Sequence, residues 1–285
     1  MRIVVTGGSG KAGRWIVSRL RSAGHDVLNV DWKHDGSEHG LCLQADLTDP
    51  GQCLEAIAGA EAVVHLAAIP APELRPPAET FRINMLSTYN VFAASEAHGA
   101  GRVVYASSET VLGLPFDAPP AFAPIDETHP SRPETSYSLA KHAGEAIADQ
   151  FVRRTGTTYV GLRISNIMDP EDYEAFPGYW PDATLRKWNL WGYVDARDVA
   201  SACELSLSAA IEGHEIAIIA AADTCMTRDS ASLMAEVYPK VPLTRELRGR
   251  ETLLSIDRAR EVLGYEPSHS WSDEIASPPG PDGSA

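Results

Sequence analysis

Tyr137 and Lys141 stand four residues apart in Tyr137-Ser138-Leu139-Ala140-Lys141, a spacing that puts both side chains on one face of a helix. A phenol ionises near pH 10, and bringing it near neutrality takes roughly 4 kcal/mol of preferential stabilisation of the phenolate, which adjacent positive charge supplies. Lys141 is one such charge. The cationic ring of an oxidised nicotinamide is a second, so the pair makes most sense as an acid/base beside a dinucleotide. Taken alone, such a pair is more often a half-buried tyrosine next to a solvated lysine.

A dinucleotide needs a cradle, and the first residues supply one. Arg2-Ile3-Val4-Val5-Thr6 reads as a short buried strand, and a helical run begins at Arg14. Between them lies Gly7-Gly8-Ser9-Gly10-Lys11-Ala12-Gly13, spaced Gly-x-x-Gly-x-x-Gly. Gly7 permits a tight turn, Gly10 lets backbone approach a pyrophosphate, and Gly13 lets the helix sit close to the strand. A second strand ends in Asp31, where a carboxylate accepts hydrogen bonds from an adenosine ribose and repels a 2′-phosphate, favouring NAD over NADP. Lys33 and His34 follow closely and weaken that preference. An ordinary strand-helix turn, with Asp31 as a cap, is the simpler alternative.

The elements that must hold this chemistry alternate along the chain. Candidate strands are 2–6, 26–31, 61–66, 101–106, 158–163 and 214–220; candidate helices lie near 11–23, 50–58, 78–99, 136–154 and 196–210. Such alternation predicts an α/β fold, a Rossmann-type doubly wound parallel sheet with a small C-terminal substrate lobe. The expected division is a mainly dinucleotide-binding part over 1–166, then a mixed stretch over 167–276 containing the lobe and returning sheet elements at about 194–220. The segment 115–133 reads as a Pro-rich loop and 277–285 as a disordered tail.

Composition excludes several classes. With 285 residues, 44% of them hydrophobic, the chain can bury a large core. A formal net charge of −15 argues against nucleic-acid or anionic-membrane binding. No apolar run reaches the roughly eighteen residues of a membrane span, and the residues after Met1 do not read as a signal peptide. Cys42, Cys53, Cys203 and Cys225 lack metal-type spacing, so no metal is expected and a reducing, cytoplasmic setting is.

In order along the chain, these residues resemble the extended short-chain dehydrogenase/reductases, also called the NAD-dependent epimerase/dehydratase family. Thr6 to Gly13 looks like its cofactor turn, Asp46-Leu47 like its adenine-contacting pair, and His65-Leu66-Ala67-Ala68 like the strand passing beneath the cofactor. Asn84 looks like its central helix asparagine, and Tyr105-Ala106-Ser107-Ser108-Glu109-Thr110-Val111-Leu112-Gly113 like its fifth-strand motif. Residues 127–133, Arg163-Ile164-Ser165-Asn166 and the run 193–200 match later landmarks. The resemblance implies NAD held by Gly7, Ser9, Gly10, Lys11, Ala12, Gly13, Asp31, Asp46, Leu47, Leu66, Ala67, Ala68, Asn84, Tyr137, Lys141 and Ile164. It implies Tyr137 as acid/base, Lys141 on the ribose, and Ser108, rather than Ser107, on the reacting oxygen. Substrate would meet Ser108, Glu109, Tyr137, Asn166 and Arg186. Family dimers commonly pair the helices near 78–99 and 136–154, so a homodimer is expected.

Departures from the family pattern narrow the chemistry. Members that eliminate water carry Asp-Glu where this chain has Glu109-Thr110, which disfavours dehydration, and Leu112 replaces a tyrosine. The region 173–193 holds Trp180, Trp188, Trp191 and Arg186, a set suited to a sugar ring with an anionic group and loosely similar to the uronate dehydrogenase branch. These tryptophans serve equally as lobe core. The leading expectation is an NAD-dependent oxidoreductase acting on a sugar or sugar-acid-like small molecule. Arg248 and Arg250 keep a nucleotide-sugar epimerase open. A non-catalytic dinucleotide sensor is the reading of another class, and Ser108, Tyr137 and Lys141 together argue against it.

Overall fold

The protein is described by a computed structural model covering residues 1–33, 42–116 and 118–275. His34 and the expected tail 277–285 lie outside the described residues. In chain order the first elements are β1 (Arg2–Thr6), α1 (Lys11–Ser22), β2 (Asp26–Asp31), β3 (Cys42–Gln44), α2 (Pro50–Ile57), β4 (Ala62–His65) and α3 (Pro77–Ala97). Next come β5 (Arg102–Ser108), α4 (Ser136–Thr155), β6 (Thr158–Ile164), β7 (Ile167–Met168), β8 (Val194–Asp195) and α5 (Ala196–Ser208). β9 (His214–Ile219), α6 (Ser230–Val237), α7 (Asp257–Leu263) and α8 (Trp271–Glu274) complete the series.

Seven strands form one parallel sheet in the order β3-β2-β1-β4-β5-β6-β9, the α/β arrangement expected. The three-residue edge strand β3 was not among the expected strands, being too short to show a period. β7 and β8 pair separately. The sheet is covered on both faces, which is why its central strands read as continuous apolar runs. Val4, Val63, Val103 and Tyr159 pack with Phe92 of α3 and Phe151 of α4 on one side. Ile3, Val5, Val64, Val104 and Val160 pack with Ile16, Val17 and Leu20 of α1 and with Val199 and Cys203 of α5 on the other. Neighbouring residues of β1 thus serve opposite layers, as the strand's two-residue period dictates.

The chain leaves β1 outward to β2 and β3, then returns to β4 on β1's other side. That reversal opens a crevice at the strands' carboxyl ends, the place where such sheets bind ligands. Gly7, Leu66, Ser108 and Ser165 all follow or end strands on this edge.

Candidate active site

The turn after β1 is shaped by contacts only glycine allows. Gly7 adopts φ +74°, and a Cβ there would lie 2.6 Å from the Ala67 backbone nitrogen. A Cβ on Gly13 would lie 2.2 Å from the Gly7 carbonyl, so the third glycine sets helix α1 tight against the turn. Around Gly10 only the Gly7 carbonyl comes near, at 3.3 Å, which leaves this backbone open to a ligand. No side chain caps α1 at Gly10, so the helix's positive end faces the crevice with first-turn N–H groups available to a pyrophosphate. Asp31, at the end of β2, accepts from Ser9 N at 3.1 Å and Trp32 N at 2.8 Å, bringing its carboxylate to the turn. The Lys11 ammonium donates to Asp172 at 2.6 Å, so this expected cofactor residue reaches the later loop 170–178 with its side chain.

Beneath the crevice, Thr6 and the first residues after β4 are tied together. The hydroxyl of Thr6 lies 2.8 Å from His65 Nδ1, and His65 Nε2 lies 3.2 Å from the Thr88 hydroxyl of α3. Burial, reinforced by the charge of Lys141, pushes the imidazole down to about 3, so His65 is neutral. Asn84 accepts from Ile69 N at 2.7 Å and donates to Ile69 O at 3.1 Å. It therefore braces the backbone following Leu66-Ala67-Ala68. Leu47 is buried, its carbonyl accepting from Asn90 at 3.0 Å; exposed Asp46 holds Thr48 through both N–H and hydroxyl.

The expected catalytic residues converge on β5 and the start of α4. Thr135 and Ser138 form a reciprocal capping box, which fixes the helix start and sets Tyr137 in its first turn. Helix polarity there favours a phenolate, and Lys141 follows one turn later. Lys141 donates to the carbonyl of Ala106 at 2.7 Å, and its Nζ lies 5.7 Å from the Tyr137 ring. Ser108 ends β5 and accepts from Thr110 N at 3.2 Å and from the Thr110 hydroxyl at 3.0 Å. Ser107 points elsewhere. Its hydroxyl donates to Glu145 at 2.6 Å, and Glu145 is gripped twice by Arg163 at 2.9 Å. The choice of Ser108 over Ser107 thus has a geometric basis.

Burial pushes the Tyr137 phenol up to about 12, with a hydrogen bond from Ser108 opposing and the nearby Glu109 carboxylate adding to the rise. Lys141 is itself pushed down to about 8 by burial. Lys141, bound to a strand carbonyl, does not alone bring the phenol near neutrality.

On the substrate side, Glu109 is buried and accepts from Ser165 at 2.6 Å and from Asn189 at 3.3 Å. Burial lifts its carboxyl to about 7, against the pull of those donors and of Arg186. Arg186 is buried, donates to Gly192 O at 3.2 Å, and reaches Asn166 at 3.0 and 3.2 Å once that amide is oriented with its oxygen toward the guanidinium. Its plane lies against Trp188 at 4.9 Å and Tyr179 at 5.3 Å. Ile164, at the end of β6, is buried beside Ser108. Trp191 is fully buried and donates to Ala183 O at 2.7 Å, while Trp180 donates to Cys225 O at 3.0 Å and packs on Trp271. Those two belong to the lobe's interior, and of the three tryptophans Trp188 is the one against Arg186. Leu112 is likewise fully buried in the core. Sequence reasoning missed Asn189, a lone polar residue in an irregular stretch with no motif around it. An open cleft of about 670 Å³ lies between residues 72–77 and 134–136, the latter running directly into Tyr137.

The profile of the NAD dependent epimerase/dehydratase family matches residues 3–220. The L-arabinose 1-dehydrogenase (NAD(P)(+)) of Haloferax volcanii is 31% identical over 180 residues, 60% of this chain and 69% of that one. The uronate dehydrogenase of Agrobacterium fabrum is 29% identical over 176 residues, 60% of this chain and 64% of that one. A short-chain dehydrogenase/reductase superfamily protein from Agrobacterium tumefaciens, solved with bound NAD, superposes with a TM-score of 0.76 at 24% identity, covering 96% of this chain and 94% of that one. With the glycine turn, the Asp31 carboxylate and the Ser108, Tyr137 and Lys141 cluster on one sheet edge, the chain belongs to the NAD dependent epimerase/dehydratase family.

Proposed function

We propose that the protein is an NAD-dependent oxidoreductase interconverting a hydroxyl and a carbonyl on a sugar or sugar-acid-like small molecule. The observation that carries this reading is the convergence of Ser108, Tyr137 and Lys141 at the carboxyl edge of the sheet, the edge that also bears the uncapped end of α1. The names of the two sugar dehydrogenase relatives support the substrate class. NAD, when bound, supplies the hydride acceptor and a positive ring. The N–H groups of Lys11 to Gly13 would hold its pyrophosphate, Asp31 its adenosine ribose, and Lys141 the ribose near the reacting ring. In oxidation, Ser108 Oγ holds the substrate oxygen while Tyr137 Oη takes its proton as the C–H hydride leaves; in reduction Tyr137 returns that proton. A phenol at about 12 is protonated at neutral pH and ready to donate. Oxidation needs the phenolate, so added positive charge beside Tyr137 is part of the reading, and oxidation speeds up as pH rises toward the phenol's pKa.

The test is a cofactor-linked screen of free sugars, sugar acids and nucleotide sugars. Net formation of NADH is the expected result, with Tyr137→Phe losing about 100-fold or more in kcat; a Phe variant as fast as the parent overturns hydride chemistry at this site. Epimerisation of a nucleotide sugar is the second reading, favoured by exposed Arg248, and it would change the sugar with no net NADH. Arg250 is less suited to a phosphate, lying over Trp271 at 4.7 Å and 3.7 Å from Asp223. The assembly proposed is a homodimer through the outer faces of α3 and α4. Four unbridged cysteines, three of them with thiols pushed up to about 12 by burial, support a reducing, cytoplasmic setting.

A further inference from the structure

Arg186 carries a charge that the fold has taken almost out of water. The residue is 6% exposed, its guanidinium forms no ion pair within 4.0 Å among the described residues, and Nε has no partner. A cation buried this way is costly unless an anion stands nearby. Two sources of that anion are possible in principle: a charged group on the substrate, or a carboxylate of the chain. The structure contains the second. Glu109 is 3% exposed, and its carboxylate is connected to the guanidinium through a shared carbonyl. Asn189 Nδ2 donates to Glu109 at 3.3 Å and to Gly192 O at 2.8 Å, the same oxygen that accepts from Arg186 Nη2 at 3.2 Å. Ser165 fixes the other oxygen of Glu109 at 2.6 Å. Glu109 adjoins Ser108 in the chain, and its charge acts on the Tyr137 phenol.

We propose that Glu109 is the internal counter-charge of Arg186 and thereby sets this site for an uncharged sugar, rejecting the corresponding sugar acid. The inference rests on the oxidoreductase reading for the direction of use, but its content is a preference in binding. With Glu109 ionised, the charge of Arg186 is already compensated, so a carboxylate brought in by the substrate gains no net attraction there to repay its lost hydration. Leaving a substrate carboxylate withdrawn from water without a net counter-charge weakens its binding by about 10- to 100-fold. The guanidinium's hydrogen bonds go to Asn166 and Gly192, which hold its plane against Trp188 as a wall of the pocket. The charged and titratable groups that act on Glu109 are Arg186, which favours its ionisation, and the Tyr137 phenol, which is neutral at working pH. Below about pH 7 the carboxyl takes up a proton, the Arg186 charge is uncovered, and discrimination against acids relaxes.

The experiment uses NADH-saturated protein and calorimetric binding of matched pairs, galactose with galacturonate and glucose with glucuronate, so that no turnover is needed. At pH 8 the neutral member of at least one pair should bind about 10-fold or more tighter than its acid. Glu109→Gln should shift that ratio toward the acid by about 10-fold or more at unchanged NADH affinity, while Glu109→Asp should keep the neutral preference. Should Glu109→Gln lose NADH binding and so fail as a folded variant, the parent decides: between pH 8 and pH 6 acid binding should strengthen about 10-fold with uptake of a proton, and neutral-sugar binding should stay level. The proposal is overturned if the parent prefers the acid at pH 8, if both members of every pair fail to bind, or if neither Glu109→Gln nor pH moves the ratio. Neutral-sugar binding with the predicted ratio but no NADH formation from NAD would sink the oxidoreductase reading and leave this one standing.

Discussion

The two adjacent serines at the end of β5 show how far one residue's direction decides its role. Successive side chains on a strand point to opposite faces, so Ser107 and Ser108 cannot do the same work. Ser107 enters the layer beneath α4, where it donates to Glu145, itself paired with Arg163. Ser108 turns toward the crevice, held by Thr110. Ser107→Ala should therefore cost about 1–2 kcal/mol of stability, by removing a donor to a buried carboxylate, and leave kcat within about threefold. Ser108→Ala should leave the melting temperature nearly unchanged and lower kcat/KM by about 10- to 100-fold. Thermal unfolding and steady-state kinetics on both variants check the split, and reversed outcomes would return the role to Ser107. The sequence motif carried the preference for Ser108, but the partner of Ser107 was not legible, because the Glu145 that takes its hydroxyl lies 38 positions away.

Elements were legible where local pattern and global role coincide. β1, the glycine turn and α1 must be contiguous in the chain to make a phosphate cradle, so their order is itself the signal. The later lobe has no such rule. Leu190 and Trp191 sit at φ 54° and 56°, in the left-handed region that non-glycine residues seldom occupy, and this double reversal swings the Trp191 ring into the core to meet Ala183 O. No periodicity foretells that, which is why an aromatic-rich loop reads equally as sugar platform and as interior. The same reasoning makes the turn after β1 a sharp test of the element. A methyl on Gly7 would have to adopt φ +74° and would strike the Ala67 backbone at 2.6 Å, with no flexible side chain to give way. Gly7→Ala should lower stability by about 2 kcal/mol or more and weaken NADH binding by about 10-fold or more, because the turn and the Leu66-Ala67 backbone would be forced apart. Denaturant unfolding and NADH fluorescence titration measure both, and parent-like values would show that this approach is not what shapes the site.

At the scale of the molecule, the two faces of the sheet are not finished alike. The α1 and α5 face is continuous with the lobe, through a core running from Ile16 to Trp271 and through Arg14 and Trp15, which both bond Asp169. On the opposite face α3 and α4 pack side by side and nothing in the chain's described residues covers their outer surface. That surface carries Leu86, Tyr89 and Leu139 at 40%, 47% and 46% exposed, on a chain whose net charge of −15 would otherwise keep copies apart. Large apolar side chains on two neighbouring helices are most simply accounted for by the same two helices of a second copy, since a two-fold axis brings one patch against itself and closes the assembly. Light scattering of the purified protein should give twice the 30.7 kDa chain mass. Leu86→Asp combined with Leu139→Asp should give a single-chain mass, because burying four unpaired carboxylates at a two-fold interface outweighs what the remaining contacts supply. Tyr137, the proposed acid/base, stands two residues before Leu139 on α4, so the dissociated variant should also lose part of its kcat while still binding NADH. A parent that scatters as one chain, or a double variant that stays dimeric, would remove α3 and α4 from the interface.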